Sequence, residues 1–309
     1  MNVSNILLFA LIFFKMAYLG ADIEQHFRKV ENKRGCHSMR NIDFIYMINL
    51  DQRPEKWKES IERLHPFGII PCRFSAINGW ELSAEAINDL GLKFSPEMEG
   101  GFMGTCYPLN NNLQPSHEII QNYGQTYFCH CMARGAIGCV LSHLSILQDA
   151  YDCEYETIWI MEDDIELLSD PRKLPDLIDE LDKLVGKGNW DVLFTDRDTR
   201  HTDGNYSITY CPTRRPDFSG TNNYAMKEEI SSDFRQIGAR YGSYSMILRQ
   251  SGIRKLLQFF KAHQIFLPYD LEYILPQGIK LFTVTQNVVA SLPKAPSDNG
   301  VPTYLNTLK

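Results

Sequence analysis

The stretch Thr157-Ile158-Trp159-Ile160-Met161-Glu162-Asp163-Asp164-Ile165 is an apolar run that ends in three adjacent carboxylates. Its first half has the β-branched and aromatic composition of a buried strand. Its end contradicts that environment, because each buried carboxylate loses hydration and repels its neighbours. One reading is a solvated acidic loop after a core strand. The other is a divalent cation that neutralises the cluster at the strand's end. Alternate side chains of a strand share a face, so Glu162 and Asp164 would point together into a cleft while Asp163 points away. Ligands made of oxygen alone suit Mg²⁺ or Mn²⁺ rather than Zn²⁺.

Outward from this stretch, apolar runs alternate with amphipathic ones. Residues 44–50 read as a buried first strand, Asp51-Gln52-Arg53-Pro54 as a turn, and Glu55 to Leu64 as a helix with Trp57, Ile61 and Leu64 on one face. Cys72 to Gly79 reads as a second strand ending in a turn, and Gly135 to His143 opens a helix that runs to about Tyr151. Beyond the acidic triplet come a helix over 171–184, a strand over 190–195 with Asp196 just past it, a strand over 241–248, a helix over 251–260 and a strand over 279–284. Residues 95–128, rich in Gly, Pro and Asn, read as a long irregular segment, and 197–235 as polar and irregular. The alternation predicts an α/β fold: one domain, residues 41–293, with a mostly parallel central sheet. Ligands of such sheets bind at the carboxyl ends of the strands, where the triplet falls.

The flanks are read separately. Residues 1–21 form an apolar segment whose core, Ile6 to Phe14, has the length of a signal-peptide core and is too short to span a bilayer. A signal peptide, a peripheral membrane contact through residues 5–20 and a docked helix all stay open. The compartment follows that choice: exported if residues 1–21 are a signal, otherwise cytoplasmic or attached to the cytoplasmic membrane. Residues 22–40 read as a connector, and 294–309 as a loose tail.

A chain of 309 residues buries a substantial core, and its 44% hydrophobic and 22% charged content is that of an ordinary globular protein. The net charge of −7 argues against nucleic acid as a partner, since no basic surplus displaces counterions. A small anion needs only a local patch and is not excluded. The eight cysteines are scattered. Cys129-His130-Cys131 lacks the paired spacing of a structural zinc site and reads as free thiols or a local disulfide.

Four segments, in this order, resemble glycosyltransferase family 25, the lipooligosaccharide-biosynthesis and procollagen-galactosyltransferase group. They are Ile48-Asn49-Leu50-Asp51-Gln52-Arg53-Pro54-Glu55-Lys56-Trp57, then Gly135-Ala136-Ile137-Gly138-Cys139-Val140-Leu141-Ser142-His143, then Met161-Glu162-Asp163-Asp164-Ile165. The fourth runs from Gly242-Ser243-Tyr244-Ser245-Met246-Ile247-Leu248 through Leu256-Leu257 to Leu267-Pro268-Tyr269-Asp270. Ala136 and Lys56 depart from the family's usual acid and arginine. The resemblance implies a GT-A-like fold, a UDP-sugar donor, Mn²⁺ or Mg²⁺, and inversion at the anomeric carbon. Its acceptor would be a saccharide, a lipid-linked saccharide or a hydroxylated protein.

Under that reading Glu162 and Asp164 are the metal ligands, with Asp163 as the alternate at the donor site. Inversion requires a base for the acceptor hydroxyl. Asp270 is the preferred base, with Glu272 as a further base or ligand and Asp196 as runner-up; the alternative for Asp270 is a helix N-cap. Asn49, Asp51 and Arg53 end the first strand, where a nucleotide is read or its pyrophosphate paired. Ser142 and His143 line the donor site or serve as structural hydrogen-bonding residues. Arg214-Arg215-Pro216 and Asp217-Phe218-Ser219-Gly220 form a lid, an acceptor wall or a plain surface loop. Two other functions compete. A metal-dependent hydrolase or phosphotransferase would need a covalent nucleophile or a second metal cluster. A non-catalytic sugar-binding relative would not need its acids together.

Overall fold

The computed structural model describes residues 23–109, 114–198, 214–218, 224–293, 295 and 297–300. The apolar segment 1–21 lies outside the described residues, as do Ser219, Gly220 and the tail from 301. Among the described residues, no helix is long and apolar enough to cross a membrane.

The strands in chain order are β1 (Phe44–Asn49), β2 (Cys72–Ser75), β3 (Leu92–Lys93), β4 (Met103–Cys106), β5 (Ser116–Ile119), β6 (Thr126–Cys129) and β7 (Thr157–Glu162). They continue as β8 (Ile165–Leu167), β9 (Val192–Phe194), β10 (Lys227–Glu229), β11 (Phe234–Ile237), β12 (Ser245–Arg249), β13 (Leu281–Val284) and β14 (Val289–Ser291). The helices are α1 (Pro54–Leu64), α2 (Ala84–Leu90), α3 (Arg134–Asp152), α4 (Leu174–Val185), α5 (Gln250–His263) and the single turn α6 (Tyr269–Glu272).

Eight strands form the central sheet in the order β10-β11-β13-β9-β12-β7-β1-β2. β1 is parallel to β2 and β7, and β13 to β9, while β12 is antiparallel to β7 and β9. With β11 antiparallel to both β10 and β13, only β12 and β11 run against the other six. The sheet is therefore mostly parallel in strand direction, as the alternation predicts. Helices cover both faces. On β7, Ile158 and Ile160 enter one core with Val140 and Leu144 of α3 and Leu256 of α5. Trp159 and Met161 enter the other, with Leu174, Ile178 and Leu181 of α4. Burial on both faces is why the strand reads as a continuous apolar run.

Three expectations need correction. Residues 95–128 contain β4, β5 and β6, which join β3 in a separate antiparallel sheet of order β3-β6-β4-β5. Its strands are at most four residues long, too short to display a period. Similarly, residues 227–237 supply β10 and β11, and β10 (Lys-Glu-Glu) is a charged edge strand. Finally, the chain beyond Leu292 is not simply loose. The Leu292 amide donates to the Asp164 carbonyl at 2.8 Å, and Ser297, Asp298 and Asn299 return to the carboxyl end of the sheet.

Candidate active site

β7 delivers Glu162 as its last residue, and the chain bends immediately afterwards. The period-two argument stops at that bend, so Asp163 does not point away. Glu162, Asp163 and Asp164 all line one cleft of about 620 Å³, together with Lys56, Asn78, Ser142 and Asp298. Glu162 accepts a hydrogen bond from the Ser243 hydroxyl at 2.7 Å. Ser243 arrives there because β12 runs antiparallel to β7, so the residues before β12 stand at the carboxyl end of β7. Asp163 accepts from Asn49 Nδ2 at 2.6 Å and lies 3.9 Å from Lys56 Nζ.

Electrostatics separate the three acids. Burial, with the Asp164 charge added, pushes Glu162 up to about 8. Burial lifts Asp163 to about 6, against the Asn49 hydrogen bond and the Lys56 charge. Burial also raises Asp164, opposed chiefly by Lys56. Asp163 already has an amide and a cation beside it. Lys56 is shared by Asp163 and Asp164, and no cation offsets the burial of Glu162, so the oxygen-only donor set of Glu162 and Asp164 fits a hard divalent cation.

Asp270 stands across from Glu162. Both line an adjoining cavity of about 410 Å³ with Ser243 and Pro268. Asp270 is not an N-cap, a position that Pro268 takes, and its Oδ2 accepts from the Gly242 amide at 2.9 Å. Burial raises its pKa, opposed by the Gly242 amide and by the Arg240 charge.

The other two expected bases are engaged elsewhere. Asp196 is buried, pairs with the Arg240 guanidinium at 2.7 Å and accepts from the Tyr244 hydroxyl at 2.5 Å. Glu272 is fully buried, accepts from the amides of Phe266 and Leu267, and pairs with Arg215. Neither carboxylate lines the cleft, so both brace the loops around it instead of meeting a substrate. Arg215, expected in a lid or loop, is consequently interior, whereas Arg214 is exposed and 3.4 Å from Glu99.

The remaining expected residues divide. Asn49 is buried, accepts from Arg73 Nε at 2.8 Å and holds Asp163, so it positions an acid. Asp51 is exposed and held by Arg73 and Ser75 outside the cleft. Arg53 pairs with Glu55 and with Asp298. Ser142 lines the cleft while its hydroxyl donates to the Gly138 carbonyl and accepts from the Ile77 amide, each at 2.8 Å. His143 is fully buried against Tyr269, ring centroids 4.3 Å apart, and burial holds its pKa down to about 4. The glycines of the second segment serve close packing. A Cβ at Gly138 would collide with the Gly79 nitrogen and the Ile77 carbonyl, against which α3 docks.

Sequence reasoning did not assign Lys56, Cys139, Ser243, Asp298 or Asn299 to the site. Lys56 and Ser243 lie inside the recognised segments and carried a signal through them. Asp298 carried none: it pairs with Arg53 and, at 2.9 Å, with Lys56, from more than two hundred residues away.

Comparison with known proteins follows this geometry. Residues 42–272 match the family described as glycosyltransferase family 25 (LPS biosynthesis protein). A "Glycosyltransferase 25 family member" of Aedes aegypti is 27% identical over 159 residues, 50% of this chain and 21% of that protein. "Procollagen galactosyltransferase 2" of Homo sapiens is 24% identical over 157 residues, 50% of this chain and 21% of that protein. An "Inactive glycosyltransferase 25 family member 3" of Homo sapiens is 23% identical over 157 residues, 50% of this chain and 22% of that protein. The chain thus covers about a fifth of the length of these relatives. With the family's match over residues 42–272 spanning Glu162, Asp164 and Asp270, the chain belongs to glycosyltransferase family 25.

Proposed function

We propose that this chain is an inverting, metal-dependent glycosyltransferase. It moves a hexose, galactose first among them, from a UDP-sugar to a hydroxyl of a saccharide, a lipid-linked saccharide or a hydroxylated protein. The observation that carries the reading is that Glu162 lines both the cleft it shares with Asp164 and the adjoining cavity it shares with Asp270, at the sheet's carboxyl edge. The galactosyl preference rests on the name of the human procollagen relative.

Glu162 and Asp164 would hold a Mn²⁺ or Mg²⁺ ion, which when bound would supply positive charge for the leaving diphosphate, worth several kcal/mol in such reactions. The chain's own residues do the rest. Asp270 accepts the acceptor hydroxyl's proton as its oxygen bonds the anomeric carbon on the face opposite the departing phosphate oxygen, which inverts that carbon. Such a base contributes on the order of 10²–10⁴ in rate. Ser243 orients Glu162, and Asn49 with Lys56 keeps Asp163 ionised without drawing on the cation.

A hydrolase or phosphotransferase has less behind it, since the Ser142 and Ser243 hydroxyls beside the acids are taken up by the Gly138 carbonyl and by Glu162. A non-catalytic role has a precedent in the human relative named inactive, but Glu162, Asp163, Asp164 and Asp270 are all retained here. Thermal unfolding with Mn²⁺ alone against Mn²⁺ plus UDP tests the reading. Added stabilisation by the nucleotide is expected, and its absence would count against the transferase. Slow hydrolysis in a panel of UDP-sugars then identifies the donor.

A further inference from the structure

Helix α3 carries Cys139 and His143 four residues apart, so both present to the same side, facing the end of β7. One ligand atom from each of Cys139, His143 and Glu162 lies within 4.8 Å of the others. The imidazole's state is fixed by its neighbours. Its Nδ1 is 3.0 Å from the Cys139 carbonyl, which only accepts, so Nδ1 carries the hydrogen and Nε2 presents a lone pair. That Nε2 is buried, has no hydrogen-bond partner and lies 3.7 Å from Glu162 Oε1. The Ser243 backbone also faces the ring and, like the Cys139 carbonyl, favours its protonated form, though at no close hydrogen-bond distance from Nε2. A nitrogen lone pair and a carboxylate oxygen thus confront one another, an arrangement that a cation between them relieves.

We propose that Cys139, His143 and Glu162 form a second cation site, selective for a sulfur- and nitrogen-seeking ion of the Zn²⁺ class, beside the hard-cation pair Glu162 and Asp164. Bond lengths of a tetrahedral zinc centre put nitrogen and oxygen ligands about 3.4 Å apart, and nitrogen and sulfur about 3.6 Å apart. The observed Nε2 to Oε1 separation of 3.7 Å needs only a small closure, while the Cys139 sulfur, 3.7 Å from Nδ1, must swing toward Nε2 to join them. The hydrogen bond from Nδ1 to a carbonyl is the kind of outer contact that orients a ligating histidine. Cys139 gives its sulfur as thiolate, and the proton passes to solvent. The fourth position opens on the cavity shared by Cys139, Glu162, Tyr269 and Asp270. An ion there takes Glu162 from the hard-cation site, so Zn²⁺ competes with Mn²⁺ through one shared carboxylate. Zn²⁺ binding does not depend on the transferase reading, so the two ideas fail separately.

Co²⁺ substitution in the full chain tests the site. The wild type is expected to show a near-ultraviolet sulfur-to-cobalt charge-transfer band and the visible absorption of a tetrahedral centre, both lost on adding Zn²⁺. Cys139→Ser abolishes the charge-transfer band and weakens Zn²⁺ binding at least tenfold, with the circular dichroism of the wild type certifying its fold. His143→Gln, read the same way, weakens binding without removing the thiolate band at saturating Co²⁺. Cys129→Ser and Cys131→Ser leave both bands in place. Overturning results are no charge-transfer band in the wild type, a band that survives Cys139→Ser, or a band lost in Cys131→Ser.

Discussion

Asn49 and Asp163 are joined by a 2.6 Å hydrogen bond that ties the end of β1 to the acidic end of β7. The same amide donates to the Arg53 carbonyl at 2.9 Å and its oxygen accepts from Arg73, so one buried side chain closes three loop ends. Asn49→Leu leaves Asp163 and the Arg53 carbonyl short of a partner where water is scarce, while Arg73 keeps Asp51, at a total cost of about 1–3 kcal/mol. Thermal unfolding of Asn49→Leu is expected to fall by about 3–10 °C for a domain of this size. A midpoint equal to the wild type's would remove Asn49 as the clamp.

Asp270 and Asp196 should separate cleanly. Asp270→Asn keeps the Gly242 contact and the fold, so kcat is expected to fall about 10²–10⁴-fold while UDP binding persists. Asp196→Ala strands Arg240, which is 1% exposed. Breaking such a buried pair costs about 3–5 kcal/mol. Its signature is a lowered unfolding midpoint before any kinetic effect. If Asp196→Ala instead folded normally and lost turnover, Asp196 would be the base.

These pairings mark the limit of sequence reading. β1, α1, β7 and α3 were legible because each is long enough to show its period, and four ordered segments placed Asp270 near Glu162. The state of Asp196 and Glu272 was not. Each sits beside a recognisable strand or helix end, yet Arg240 and Arg215, which neutralise them, lie 44 and 57 residues away in polar stretches without a pattern. Asp163 was misread for a local reason, since alternation ceases where β7 ends. Short β4 to β6 gave no period at all.

Cation binding at the acid cluster, as proposed, would depend on pH. Glu162 is raised from an ordinary 4.5 to about 8. An acid raised on folding stabilises the fold below its unfolded pKa and loses that contribution as pH rises through the folded one. Metal-free protein should therefore lose stability between about pH 5 and pH 8, and Mn²⁺ should restore it. Cation affinity moves oppositely. An acid with a pKa of about 8 is about 1% ionised at pH 6 and half ionised at pH 8, so Mn²⁺ affinity is expected to rise about fifty-fold between them. Calorimetric titration at both values checks this, and an affinity that did not change would mean that Glu162 is not a ligand.

Asp298 decides what Lys56, in the cleft's wall, and Arg53, which does not line the cleft, are free to do. It pairs with Arg53 and Lys56, and its own carboxylate is only 10% exposed. Its backbone also approaches α3, since a Cβ at Gly135 would collide with the Asp298 and Asn299 carbonyls. A diphosphate in the cleft would meet Lys56, which lines it, already paired with Asp298, and would have to displace Asp298 to reach Lys56 or Arg53, which the same carboxylate holds. Asp298→Ala removes that competitor and leaves both cations in place. UDP affinity in the presence of Mn²⁺ is expected to rise about three- to tenfold, the range of about 0.7–1.4 kcal/mol for a partly buried ion pair. The rise should shrink in high salt, which screens both phosphate and carboxylate. A fall in affinity would reverse the assignment and make Asp298, with the segment that carries it, part of the surface that holds the nucleotide.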